Sequence, residues 1–370
     1  MKKSLILLMA AAALFATACN SGSKIGDYET VYNGYIYNAG EGENGPTGSI
    51  STLNLETGEV TPNGYLLANN ADMDAHIVDA AMSYTQGVTY VVTNNPAQIL
   101  SLAAVEVVSS TAPIKPLQKV IDPAVTEGLD NPVACQLYSN YLFVANNGAA
   151  ETTIKVYNVS SMKPNLIGSY RVDAPIISMA IAGQTLGVTT EAGVVTYEIS
   201  GESLHKNNMF VNEEVSGTPY GIAALNDEQF IVICKGNGLY TMKSNAGTPL
   251  STIQIETGDK PMIATDYFIS NRNTSTIDAT VLLISTNVNG VGKVYQTLPR
   301  DLTFNDPVFV GGYISGLSIN PDNGVVYIMD GTDEYSISRV HVYSNGAETK
   351  SFMAGSQAVK MLFINYMLKL

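Results

Sequence analysis

Apolar and polar positions along the chain follow a recurring beat. A short apolar stretch, a turn, a second apolar stretch ending in a polar residue, a glycine-bearing loop and a third alternating stretch appear repeatedly. First stretches begin near Ile77 (IVDAAMSY), Val133 (VACQLYS), Ile176 (IISMAIA), Tyr220 (YGIAALN), Met262 (MIATDYF), Ser315 (SGLSIN) and Val359 (VKMLFIN). Second stretches read VTYVVTNN, YLFVANN, QTLGVTT, QFIVICK, TVLLIST and VVYIMD; third stretches read AQILSL, TIKVYNV, GVVTYEIS, GLYTMK, GKVYQTL and SRVHVYS. Alternation over such short runs is the mark of half-buried strands. No stretch beyond the first residues keeps an i, i+3, i+4 apolar period over three turns. The repeat is about 43 residues long, with two longer units, which is the length of a four-stranded propeller blade.

Seven first strands are predicted, but the last, at Val359, has only the chain end after it. The missing partners stand at the other terminus, where GYIYNAG reads as a second strand and GSISTLNLE as a third. The pattern therefore predicts an all-β chain, a seven-bladed β-propeller closed by pairing N- and C-terminal strands in one blade. That closure removes an open sheet edge. Small residues at Ala80, Ala81, Ala134, Ala180, Ala223 and Ala224 suit strands crowded around a central axis.

The first residues have a separate role. Lys2 and Lys3 precede an apolar run, Leu5 to Phe15, too short to span a bilayer. Ala16-Thr17-Ala18-Cys19 then resembles the lipobox of bacterial lipoproteins, which implies cleavage before Cys19 and its acylation. The expected organisation is a lipoprotein signal peptide over 1–18, a lipidated cysteine and tether over 19–30, and a single propeller domain over 31–370. Two or more acyl chains give a stable anchor. Contact with the membrane is then through the lipid alone.

Removing Lys2 and Lys3 leaves 17 basic against 33 acidic residues. A net charge near −16 argues against nucleic acid, whose binding depends on neutralising phosphates. Cys135 and Cys234 lie in apolar runs and read as buried thiols.

Enzymatic motifs are scarce. Gly40, Gly42 and Gly45 spell G-x-G-x-x-G, but Pro46-Thr47-Gly48 leads into the strand-like SISTLNL rather than the helix a pyrophosphate needs. His341 alternates with Val340 and Val342, which predicts a solvent-facing ring. Asp72, Asp74 and His76, spaced by two, would share one face if extended, a thin basis for a metal site. Asp330, Asp333 and Glu334 lack EF-hand spacing and read as a solvated loop. No motif calls for a cofactor, a resident metal or a catalytic residue.

Geometry carries more. In an up-and-down blade, the loop entering the first strand and the loop leaving the second lie on one face. Entry loops place Asp72, Asp74, His76, Asp130, Asn131, Tyr220, Lys260 and Tyr313 around a channel mouth. Loops after second strands add Asn38, Glu41, Asn94, Asn146, Asn147, Lys235, Asn287 and Asp330. Amides, carboxylates and tyrosines in a ring suit a large polar ligand needing many hydrogen bonds and some flat apolar contact. A corrinoid, a glycan or a peptide fits that description.

The stretches GYIYNAGEGENGPTGSISTLNLETGEV and GLSINPDNGVVYIMDGTDEYSISRVHVYSNGAETKSF carry a likeness. They resemble the YncE and surface-layer-type propellers, and more closely the BtuG-like vitamin-B12-capturing lipoproteins of gut bacteria. That resemblance implies a non-catalytic outer-membrane lipoprotein that grips a small-molecule ligand, a cobamide, and passes it to a TonB-dependent transporter. The tether lacks the acidic run of many surface-exported lipoproteins, so the side of the membrane stays open. Two other readings of the same face stay open: a metal-assisted hydrolase or lyase, and an envelope protein–protein scaffold.

Overall fold

Strands form where the alternation predicts them. The computed structural model describes residues 28–40, 47–104, 116–211, 217–245, 249–267 and 278–369. The signal segment, Cys19, Glu41 and the second and third glycines of the G-x-G-x-x-G run lie outside the described residues.

Strands β1 (Tyr28–Asn38), β2 (Ser49–Asn54) and β3 (Val60–Thr61) precede a short helix, α1 (Gly64–Asn69). β4 (His76–Ser83), β5 (Val88–Asn95) and β6 (Ala97–Ala103) form a three-stranded sheet. A four-stranded sheet follows, of β7 (Pro132–Tyr138), β8 (Tyr141–Asn147), β9 (Thr152–Asn158) and β10 (Asn165–Val172). Another comprises β11 (Ile176–Ala182), β12 (Thr185–Thr190), β13 (Gly193–Ser200) and β14 (Ser203–Phe210). β15 (Thr218–Asn226), β16 (Gln229–Lys243), β17 (Pro249–Gly258), β18 (Met262–Thr265), β19 (Leu282–Val288), β20 (Val291–Thr297) and β21 (Phe309–Gly311) are joined in one larger sheet. Within it, β17 meets β19 through one parallel pair, Gly258 with Asn287. β22 (Tyr313–Ile319), β23 (Val326–Gly331), β24 (Ile337–Ser344) and β25 (Ala347–Ser356) make a further four-stranded sheet. The last strand, β26 (Ala358–Lys369), pairs antiparallel with β1, giving the order β26-β1-β2-β3.

Three details depart from the sequence reading. β1 begins at Tyr28, so Tyr28, Glu29 and Thr30, assigned to the tether, pair with β26. β16 runs unbroken through the expected turn, bending at Gly236 and Gly238, whose φ angles are 88° and 87°. Helix α1 has no amphipathic period; it is set by its caps. Asn63 (φ 49°) accepts from the Leu66 amide at 3.2 Å, and Asn70 closes the end at φ 53°.

The core lies between consecutive sheets. Ile154, Val156, Leu186 and Val188 pack β8–β9 against β12, and Phe230, Val232 and Val194 continue this to β16. Another cluster joins Tyr327, Met329 and Val340 to Ile36, Met361 and Phe363, the sheet of β22–β25 against β1 and β26. Each such layer removes apolar surface from water, worth roughly 25 cal/mol per Å². Inner strands touch in the succession β26, β4, β7, β11, β15, β18, β22 and back to β26. The predicted alanines, Ala80, Ala81, Ala134, Ala180, Ala223 and Ala224, all line the cavity these strands surround. Cys135 and Cys234 are buried free thiols.

Candidate functional site at the channel mouth

The strand registers bring entry residues against the ends of second strands, as the ring requires. Pro132 pairs with Asn146, Ile176 with Thr190, Thr218 with Lys235, and Tyr313 with Gly331. The strands β4, β7, β11, β15, β18, β22 and β26 contribute to the lining of a central cavity of about 550 Å³. Tyr220 and Pro261 belong to its wall.

Much of the predicted amide ring is committed to the fold. Asn38 is fully buried; its amide nitrogen donates to Ser49 Oγ and Ser51 Oγ at 3.1 Å, and its oxygen accepts from the Gly355 amide at 3.0 Å. Asn146 is buried too, and its oxygen accepts from the amides of Asp130 and Asn131 at 2.9 and 3.0 Å. Asp130 Oδ2 accepts from the Ala149 amide at 2.7 Å. These side chains satisfy backbone groups that would otherwise be stranded. The expectation that Asn38 and Asn146 face a ligand does not hold.

Asn147 and Asn287 use both amide atoms to clasp the next inner strand. Asn147 Nδ2 donates to Ile176 O and its Oδ1 accepts from Ile176 N, each at 2.9 Å. Asn287 does the same to Ile314, at 3.2 and 2.9 Å, and also donates to Lys260 O at 3.3 Å. Asn287 is therefore a bracket rather than a ligand donor.

Asp330 is likewise spoken for. Its Oδ2 accepts from the Gly312 amide at 3.2 Å and its Oδ1 lies 3.0 Å from His341 Nε2. His341 Nδ1 is 3.0 Å from Glu348 Oε1, and the ring packs on Phe309 with centroids 4.7 Å apart. The solvent-facing ring predicted for His341 is corrected: its side chain is 13% exposed. The hydrogen bond to Asp330 is the largest cause holding its pKa above the ordinary 6.5; burial opposes this and Glu348 adds to it. With a carboxylate at each nitrogen, the geometry favours the imidazolium form, in which both nitrogens donate.

Asp72, Asp74 and His76 do not share a face, because Asp74 has φ 48° and β4 begins only at His76. Asp72 and Asp74 are exposed, and Asp72 Oδ1 accepts from Asn63 at 3.4 Å. Among the described residues no group of three or more His, Cys, Asp or Glu side chains is placed to hold a metal. Asn94 is half-buried at the end of β5 and Asn131 is exposed.

One sector of the mouth differs from the rest. Lys260 Nζ donates to Glu334 Oε1 at 2.5 Å, with the two side chains 44% and 28% exposed. Burial depresses the Lys260 pKa, but the hydrogen bond and charge of Glu334 outweigh it and the net shift is upward. Burial raises the phenol of Tyr220; Lys260 works against this, while Glu334 and Asp259 reinforce it. Burial is also the main cause of the raised Tyr313, with Glu334, Tyr220 and Tyr335 adding. Both phenols stay neutral and able to donate. Lys235 pairs with Asp259, the residue before Lys260, at 3.4 Å. Tyr220, Lys260 and Tyr313 are thus brought together, joined by Glu334 and the exposed Tyr335.

Local structure explains the placement. Gly258, at φ +77°, turns the chain into Asp259 and Lys260; a Cβ there would lie 2.1 Å from Asn287 O, so only glycine fits. On the neighbouring sheet, Asp333 makes a turn of its own. Its Oδ1 accepts from the Tyr335 amide at 3.0 Å, and its carbonyl accepts from Ser336 Oγ at 2.9 Å. The loop DGTDEY is therefore a rigid arm that delivers Glu334 to Lys260. A carboxylate meeting a lysine 74 residues away leaves no local signature, which is why Glu334 reads as solvated in the sequence.

No family model matches the chain, and no curated protein matches it by sequence. Solved structures do. A 6-phosphogluconolactonase candidate from Bacteroides uniformis is 13% identical, with a TM-score of 0.65 over 90% of this chain and 99% of its own. The periplasmic gluconolactonase PpgL of Pseudomonas aeruginosa is 15% identical, with a TM-score of 0.64 over the same shares. The fold is a β-propeller. A quinoprotein alcohol dehydrogenase-like protein of Bacteroides thetaiotaomicron, 14% identical, has a TM-score of 0.59 over 89% of this chain and 78% of its own. At such identities the likeness concerns the fold alone.

Proposed function

We propose that this β-propeller is a non-catalytic cell-envelope lipoprotein that binds a polar ligand at the channel mouth and hands it to an uptake system. The observation that carries the reading is the half-exposed Lys260–Glu334 pair flanked by Tyr220, Tyr313 and Tyr335 at the rim of the central cavity. Cation, carboxylate, neutral phenols and flat rings in one sector offer hydrogen bonds of both senses beside apolar contact. A corrinoid, an amide-fringed macrocycle, is the ligand we assign to it. Anchorage in the outer membrane through Cys19 and delivery to a TonB-dependent transporter complete the proposal. In its architecture we read seven blades, taking β15–β17 and β18–β21 as two blades joined by the Gly258–Asn287 bridge. The β1–β26 pairing then closes the ring, which is supported by the unbroken succession of inner strands. Isothermal calorimetry of residues 19–370 with cyanocobalamin tests the ligand. Saturable heat with a shifted visible spectrum is expected; neither at tens of micromolar would end the corrinoid assignment.

A second reading draws on the two gluconolactonase neighbours: hydrolysis of a sugar lactone in the same sector. Proton release from glucono-δ-lactone at constant pH, compared between the parent and Glu334→Gln, separates it from pure binding. A rate above buffer that falls in the variant would favour the hydrolase.

A further inference from the structure

The central cavity, whose wall includes Tyr220 of the mouth sector, carries a polar feature of its own on other strands. Asp79 on β4 and Lys360 on β26 are the only charged residues that line it among the described residues. Lys360 Nζ donates to Asp79 Oδ1 and to Ala80 O, each at 2.8 Å. Asp79 accepts two further bonds, its Oδ1 from the Ala80 amide and its Oδ2 from the Cys135 amide, both at 2.8 Å. An ammonium has three N–H donors. The third finds no protein acceptor among the described residues, although the Lys360 side chain is only 29% exposed.

Three other polar side chains in the lining donate to the protein. Gln136 Nε2 donates to Met179 O at 3.0 Å, Thr265 Oγ1 to Ala224 O at 2.8 Å, and Tyr267 Oη to Asp227 at 2.6 Å. Ile181, Ile222, Ile263 and Leu317 supply stretches of aliphatic wall between the polar groups. A buried ion pair seldom adds net stability over apolar packing. Here the anion takes three donors from the fold while the cation keeps one of its own in reserve.

We infer that the channel is a second binding compartment, for a small organic carboxylate whose oxygen takes the third N–H of Lys360 while its apolar body packs on the aliphatic wall. The compartment does not rest on the mouth reading. A volume of about 550 Å³ accommodates a chain of several carbons. The carboxylate completes the ammonium without competing for Asp79, and a charge-assisted bond of this kind discriminates against an uncharged analogue.

Methionine-methyl NMR of the full chain from Cys19 onward, titrated with sodium hexanoate, tests this. Met82, Met179, Met262 and Met361 line the cavity, while Met162 and Met209 are exposed elsewhere and serve as internal controls. Hexanoate is expected to shift the cavity methyls saturably. 1-Hexanol should bind roughly tenfold more weakly or worse. The Asp79→Asn/Lys360→Met double variant, which leaves no unpaired charge, should bind the two alike. Equal binding of hexanoate and hexanol by the parent, shifts confined to the exposed methyls, or no saturable shift would each overturn the inference. If the double variant does not fold, the parent's preference between the two probes decides alone.

Discussion

Asn147 and Asn287 stand at the same place in two parts of the sheet system, each with its amide clasped to the N–H and C=O of an isoleucine on the next inner strand. Around Asn147 the neighbouring side chains bond to backbone amides. Asn146 holds the amides of Asp130 and Asn131, and Asp130 holds Ala149. Around Asn287 the third bond of that amide fixes Lys260, whose ammonium reaches Glu334 beside three tyrosines. The same clasp serves a closed sector and an open one. What separates them is the lysine–carboxylate pair among tyrosines that the loops of the Asn287 sector bring together.

The largest effects should come from the clasps themselves. Asn147→Ala and Asn287→Ala each strip an isoleucine of two hydrogen bonds, and each should lose about 2–3 kcal/mol in urea unfolding. Only Asn287→Ala should also weaken cyanocobalamin, because only it releases Lys260. Equal affinity in both variants would dissolve the distinction between the sectors.

Lys260→Ala inverts the pattern. Affinity should fall roughly tenfold or more, while stability moves by less than about 1 kcal/mol, since a half-exposed ion pair contributes little to folding. Tyr313→Phe keeps the ring and removes the donor, so the loss should be smaller, about 1 kcal/mol of binding with an unchanged melting temperature. A loss equal to that of Lys260→Ala would mean the phenol, not the ion pair, is the anchor.

The smallest effect concerns His341, at the edge of the open sector. Its folded pKa is raised above 6.5, chiefly by Asp330. The stabilisation is therefore fully present below the unfolded value and is lost as pH rises through the raised one. Stability measured from pH 5 to 9 should decline in that direction in the parent relative to His341→Gln. Parallel curves for the two proteins would refute the imidazolium assignment.

Strands were legible in the sequence because alternation is a local property: the first, second and third stretches correspond to observed strands, and the crowded alanines line the cavity. Strand order also grouped Tyr220, Lys260 and Tyr313 among the entry loops, and the structure brings Tyr220 within reach of both Lys260 and Tyr313. The division of the ring was not. Asn38 and Asn287 look alike as turn amides, and their commitments to Gly355 and Ile314 depend on contacts across 317 and 27 residues. His341 misled for a related reason. Its alternation with two valines was read correctly, but the face it occupies is covered by Phe309 from the preceding sheet and by Asp330 and Glu348. Asp74 escaped the extended geometry through a positive φ that aspartate tolerates.

The most direct test titrates cyanocobalamin by calorimetry into residues 19–370 of the parent, Asn147→Ala and Lys260→Ala under one set of conditions. Saturable binding by the parent, retained in Asn147→Ala and weakened at least roughly tenfold in Lys260→Ala, is the predicted result. Unchanged affinity in Lys260→Ala, or no heat from the parent, would contradict the assignment of the tyrosine and ion-pair sector as the ligand-gripping part of the molecule.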